Sequence, residues 1–337
     1  MSSSPRVRCS FVLFVLASLA SLAGCGSAQP APDAAPAPAV PLSPAGRFTV
    51  TSTFDLPVPA AAAPVLATLA AATDGPDDPS RYLVDRMIAT LPDGTVKTIA
   101  SGAAPYVAAY LNARLADLAP RLAPGLAAIS GGLARIASHV GTLETLEVDG
   151  SGAAVRTLTG ARFDVGAAPV LVRLADAGLM DIGVATRVTL DDAGRVTIGA
   201  HAHALPYGAW LRLGLDRAVI AGVVPGARDL AAALAALVDC ASVGALAADR
   251  IGLGSPALYR AACQAAMTTI ASELDARIAA LDDPPVAFEL TGTADGIDLD
   301  GDGTLDELRA GHWTGALWTA ASRAPLDAAS FTGARAP

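Results

Sequence analysis

The chain has 337 residues, and its 23 lysines and arginines are outweighed by 32 aspartates and glutamates, for a formal net charge of -9. That balance argues against a nucleic-acid partner, because phosphate binding needs clustered cations. Hydrophobic residues at 53% argue against general disorder. Alanine-rich runs such as Ala60–Ala63 and Ala231–Ala236 supply part of that figure without supplying a deep core.

Residues 1–24 read as a targeting segment. Arg6 and Arg8 form a basic start, and Phe11–Ala20 is an apolar run, short against the ~20 residues of a membrane span. Leu22-Ala23-Gly24-Cys25 then resembles the bacterial lipobox. The resemblance implies that the Cys25 thiol receives a diacylglycerol, that the leader before it is removed, and that the new amino group is acylated, palmitate being a usual chain. Each buried methylene contributes ~0.8 kcal/mol, so two or three chains anchor a protein to a membrane firmly. Asp in the position of Gly26 is the inner-membrane retention signal of such lipoproteins, so the resemblance implies the outer membrane of a bacterial envelope.

Residues 25–45 then form the lipidated cysteine and a tether whose frequent prolines favour extended, semi-rigid chain. The globular region is expected over 46–337 as one α+β domain or two intimate subdomains. Phe48, Val50, Ser52, Phe54 and Leu56 alternate with polar residues and predict a strand. Asp78-Pro79 opens a helix bearing Leu83, Val84, Met87, Ile88 and Leu91, and Pro105 is expected to open another. Pro120 and Pro124 break that helix before a further run to Ala137.

Strands return at Thr142–Asp149 and Ala154–Phe163 around Gly150-Ser-Gly152, then as a hairpin about Asp191–Gly194. Helices follow over 208–281, one started by Ser255-Pro256, and strands close the chain at Val286–Thr293, Leu308–Thr319 and Ser330–Ala334. Blocks of helices and dominant hairpins predict an antiparallel sheet with segregated amphipathic helices. Leu230–Ala248 is the most apolar later stretch, but Asp239 within it and flanking Asp229 and Asp249 argue against a membrane span.

Cys240 and Cys263 are the cysteines left outside the leader and the lipobox, an even pair in an oxidising compartment. Two helices joined through the break at Ile251–Pro256 predict a disulfide between them; buried thiols or a redox pair are the alternatives. Asp298-Leu-Asp300-Gly-Asp302-Gly303-Thr304-Leu-Asp306 matches the start of a calcium loop, with acids at positions one, three, five and nine and glycine at six. Side chains of Asp298, Asp300 and Asp302, the Thr304 carbonyl, and Asp306 would supply hard oxygens. The nine residues resemble the loops of dockerins, thrombospondin type 3 repeats and FG-GAP hairpins. Arg309 stands where an EF-hand places its bidentate glutamate, and the flanks read as strands, so a helix–loop–helix sensor is disfavoured. A solvated Asp/Gly turn is the competing reading.

His201 and His203 lie two apart in a strand, spacing that suits a metal, but the alternation puts them beside Thr197 on the polar face as exposed histidines. His139 and His312 stand alone, and Trp313 reads as packing. Nucleophile elbow, zinc-protease, P-loop and dinucleotide motifs are absent from the sequence. The expectation is a membrane-anchored, calcium-stabilised lipoprotein that is structural or binds a protein or apolar ligand, more readily than an enzyme. An envelope lipid carrier and a hydrolase with a nonstandard acidic site are the alternatives.

Overall fold

Alternation leaves each strand with one apolar face to bury, and closing a sheet on itself buries all those faces at once. The computed structural model describes residues 41–58, 62–64, 79–118, 120–283, 285–319, 323–326 and 328–337. The leader, Cys25, nearly all of the tether and Asp78 lie outside them. The strands are β1 (Gly46–Asp55), β2 (His139–Val148), β3 (Ala153–Phe163), β4 (Val170–Arg173), β5 (Ile182–Leu190), β6 (Arg195–Leu205), β7 (Val286–Ile297), β8 (Glu307–Trp318), β9 (Arg323–Pro325) and β10 (Ala328–Arg335).

The fold is mixed α+β with an all-antiparallel sheet, and the sheet is more specific than a set of hairpins: it closes. β1, β2, β3, β5, β6, β7 and β8 pair in sequence order, and β10 pairs with both β1 and β8 to complete an eight-stranded barrel. β4 covers the end of β3, and β9 the end of β8. Neither short strand was legible in the sequence. The inner face carries Phe48, Val50, Phe54, Leu146, Leu158, Val188, Ile198, Phe288, Leu290, Trp313 and Phe331, all buried. Thr49, Thr53, Glu147, Arg187 and Arg195 face out and are exposed. An apolar interior under a polar exterior is the reverse of a lipid-facing barrel.

The helices fall into two insertions. Between β1 and β2 come α1 (Pro79–Ala89), α2 (Thr95–Leu118) and α3 (Leu122–Ser138). Between β6 and β7 come α4 (Tyr207–Gly214), which continues through a π-turn at Leu215–Ile220, then α5 (Leu230–Leu237), α6 (Cys240–Ile251) and α7 (Pro256–Ala279). In the register Asp55 faces His139 and Leu205 faces Val286, so both insertions leave from the same pole of the barrel. The opposite pole carries the tight turns at 149–152 and 191–194 and the acidic loop.

Named contacts join the two insertions to each other and to the barrel. Tyr207 donates from its hydroxyl to the Ala137 carbonyl at 2.6 Å, and the Phe163 and Trp210 rings lie 5.5 Å apart. Asp282, at the end of the second insertion, accepts from the backbone N–H groups of Gly208 and Ala209 at its start. That closes the neck of the insertion and satisfies two donors a helix start leaves open. A Cβ on Gly208 would meet the Ile278 carbonyl at 2.2 Å, so only glycine permits this approach.

Pro105 does not open a helix; α2 begins at Thr95 and runs through it. The proline and the Ser101 carbonyl whose helical donor it lacks lie on an exposed stretch, where the missing bond costs least. The stretch at 230–248 divides at Val238–Asp239 into α5 and α6, bent by 58°, with Leu230, Leu234, Val243 and Ala247 buried in the core. No single described helix is long and apolar enough to cross a membrane.

The expected disulfide is present: Cys240 and Cys263 are joined, with Cα atoms 5.5 Å apart across α6 and α7. It closes a loop of 23 residues, for which chain entropy gives a stabilisation of about 3 kcal/mol. A Cys240→Ala/Cys263→Ala double variant is expected to lose about that much in urea unfolding, with a steeper slope as the unfolded chain expands without the cross-link. An unchanged midpoint would show that the packing of α6 on α7 holds the cap without the bond.

Candidate functional site

The acidic loop joins β7 to β8, so its flanks are strands, as its sequence implies. Glycines at Gly301 (φ 77°) and Gly303 (φ 88°) take left-handed backbone and fold the carboxylates inward. Asp298 accepts from the N–H groups of Gly301 and Gly303 at 2.7 and 2.9 Å, and Asp306 accepts from Leu299 at 2.7 Å. The Gly303 hydrogen bond, ahead of the Gly301 one, holds the Asp298 carboxyl below the ordinary carboxylate range. One carboxylate oxygen each from Asp298, Asp300 and Asp306 lie within 4.8 Å of one another. That span is about two calcium–oxygen bonds of 2.3–2.6 Å laid end to end.

The remaining two expected ligands are placed differently. Asp302 accepts from the Thr304 N–H at 2.7 Å and from its hydroxyl at 2.6 Å, stiffening the turn, and it is not part of the three-carboxylate group. Thr304 forms a parallel bridge with Ser43. Ser43 donates to the Gly303 carbonyl at 2.8 Å and accepts from Leu305 at 3.2 Å. Arg335 adds a second clasp, donating to the Leu305 and Ala45 carbonyls. The acidic loop therefore grips the residues through which the chain enters the barrel.

His201 and His203 do not face solvent. A β-bulge between Ile198 and His201 inserts one extra residue into β6, which shifts the phase of the alternation by one. Both imidazoles consequently turn inward with Val196 and Ile198, and His201 is buried. There they meet Arg156 of β3, whose guanidinium binds Glu144 of β2 through two hydrogen bonds of 2.6 and 2.5 Å. The arginine and glutamate side chains are 4% and 0% exposed, so this pair is sealed from water. Thr142 donates its hydroxyl to the same carboxylate.

The third arginine nitrogen lies 3.1 Å from His201 Nε2 and 3.5 Å from His203 Nδ1. Because His201 Nδ1 sits 2.9 Å from the Gly199 carbonyl, that nitrogen carries the proton and Nε2 accepts from Arg156. The guanidinium also lies 4.8 Å over Trp313, whose indole N–H donates to Ser52 at 3.0 Å. Trp313 owes its place to Gly292, where a Cβ would stand 2.5 Å from the indole. The expectation that Trp313 packs is met, since it is 1% exposed. His312 is exposed on the outer face, and His139 lies 3.4 Å from Asp55 at the cap pole.

Four groups able to carry charge thus share the barrel interior, and their electrostatics agree. Burial raises the cost of an ionised Glu144, yet the charge of Arg156 and the hydrogen bonds from Arg156 and Thr142 overcome it and hold the carboxyl low. Burial lowers His201, and it lowers His203 to about 3, the Arg156 charge acting in the same sense. An unfolded chain protonates His203 near pH 6.5, whereas the barrel refuses that proton until about pH 3. The unfolded state binds more protons in that window, so stability is complete above about pH 6.5 and declines as pH falls toward 3. Unfolding free energies from urea titrations across this range are expected to fall, by at most about 1.4 kcal/mol per pH unit for each histidine. His203→Gln should flatten the decline, and an equally steep decline in that variant would place the sensitivity elsewhere.

Compared with known proteins, the chain matches no protein-family model, no curated protein and no solved structure, so its function is argued from its own residues.

Proposed function

We propose that the protein is a lipid-anchored lipoprotein of a bacterial envelope, held through Cys25, whose barrel domain is stabilised by calcium in the Asp298–Asp306 loop. The observation that carries the calcium reading is the convergence of Asp298, Asp300 and Asp306 oxygens within 4.8 Å. Hard oxygens at this spacing suit calcium, and the cation would relieve the repulsion between carboxylates that their hydrogen bonds only partly offset. Asp302 would serve by shaping the turn, with the Thr304 carbonyl and water among the remaining ligands.

The position of the loop gives calcium a purpose. It clasps Ser43, where the described chain enters the barrel, so calcium would hold that entry in place. Structural support or partner binding by the cap is the role that fits. An interior filled by Trp313, Phe288, Phe331 and the Glu144–Arg156 pair leaves the lipid-carrier alternative without support inside the barrel.

Thermal unfolding with and without millimolar calcium tests the loop. At ten times Kd a single site adds about 1.4 kcal/mol, a rise of a few degrees in a domain of this size. Asp300→Asn and Asp306→Asn are each expected to abolish the rise, whereas Asp302→Asn should lower basal stability and keep part of the response. Equal midpoints with and without the ion in the unaltered protein would reduce the loop to a polar turn. The anchor is tested separately by labelled palmitate, whose incorporation is expected to vanish in Cys25→Ser with the protein no longer sedimenting with membranes. Incorporation that persists in Cys25→Ser would refute the lipobox reading.

A further inference from the structure

A cleft of about 520 Å³ opens on the helical cap, between the start of α3 at Arg121, the corner where α5 gives way to α6, and the flank of α7 at Arg260 and Gln264. Its volume lies in the range of small-molecule sites. The walls are rigid for reasons already on the structure. The Cys240–Cys263 bond staples α6 to α7 beside the cleft. Gly244 lets the two helices touch, since a Cβ there would stand 2.6 Å from the Arg260 backbone nitrogen. Arg260 and Gln264, one helical turn apart, project from the same face of α7.

The charges lining the cleft are unequal. Neither Arg121 nor Arg260 makes an ion pair or side-chain hydrogen bond with any described residue, whereas Arg47, Arg86, Arg162 and Arg173 each face a carboxylate. Asp239 is the acid in the lining, and its carboxylate is committed to the start of α6. It accepts from the N–H groups of Ala241 and Ser242 and, at 2.6 Å, from the Ser242 hydroxyl. The other wall is the small apolar run Ala235-Ala236-Leu237-Val238.

We propose that this cleft binds a small anionic amphiphile, with a carboxylate or phosphate headgroup between Arg121 and Arg260 and a short apolar chain along Ala235–Val238. Guanidinium groups supply paired, directed donors that match either headgroup. In a chain of net charge -9 a free anion meets general repulsion; Arg135, Arg195 and Arg228 also lack a carboxylate partner among the described residues, and what sets Arg121 and Arg260 apart is that both line one cleft beside an apolar wall. The site is remote from the acidic loop in sequence and shares no residue with it.

Titration calorimetry of the full-length protein with hexanoate, and in parallel with inorganic phosphate, tests both halves. Hexanoate is expected to bind more tightly than phosphate. Arg121→Gln or Arg260→Gln should weaken hexanoate about tenfold each, and the double variant should bind neither probe while keeping the thermal midpoint of the parent. Ala236→Asp, which charges the apolar wall, should weaken hexanoate more than phosphate. No binding of hexanoate by the parent, binding undiminished in the double variant, or phosphate binding as tightly as hexanoate would each overturn the proposal. If the double variant loses its thermal midpoint, Arg121→Lys/Arg260→Lys decides. Retained but weakened hexanoate binding supports the site, and binding at the parent's strength refutes the paired guanidinium geometry.

Discussion

The architecture depends on β10 reaching the gap between β1 and β8. Until that strand arrives, the sheet has two open edges and an apolar face that nothing covers, the arrangement that invites pairing between chains. Its register with β1 is continuous from Phe48–Arg335 to Asp55–Ala328, while its register with β8 is interrupted by a bulge. Ala310 adopts a φ of 49° within that irregular stretch of β8, a left-handed conformation unusual for alanine. Local strain is accepted there because it lets one strand satisfy two partners.

Closure also explains the charged group in the interior. A sealed arginine is costly unless its donors are all met, and the surrounding strands meet them from several sides. Glu144 comes from one neighbour in the ring, the two histidines from the far side of β5, and Trp313 from across the barrel. The cluster therefore ties together strands that do not all pair with one another. A slip of one residue already turns the apolar faces outward, and this network also opposes a slip of two, which alternation alone would tolerate.

Much of this was legible in the sequence, for a physical reason in each case. Alternation marked β1 and the β5–β6 hairpin, proline in the first turn marked the starts of α1 and α7, and the spacing of aspartates marked the loop between two strands. The disulfide was expected from a pair of cysteines on two helices joined by a short break. Other features depend on contacts that no local pattern carries. Closure through β10 joins residues from opposite ends of the chain. The inward turn of His201 and His203 follows from a single extra residue near Gly199, and simple alternation extended through that bulge puts them on the wrong face. The glycine itself was the available signal, since glycine inside a strand pattern often marks a bulge. The helix start expected at Pro105 failed because an exposed helix flank can do without one donor. For the acidic loop, sequence identified the residues but not the division between the three that converge and Asp302, which shapes the turn.

The two helical insertions leave and rejoin the barrel between strands that are already neighbours. Asp55 must find His139, and Leu205 must find Val286, across whole blocks of intervening helix. Contact order is thereby raised beyond what the closure of β10 on β1 already requires, and chain closure over such distances slows folding. Helices form from local contacts far faster than long-range strands pair. Each insertion can thus shorten its own effective span before its flanking strands meet, and the neck held by Asp282 marks where the second would bring its ends together.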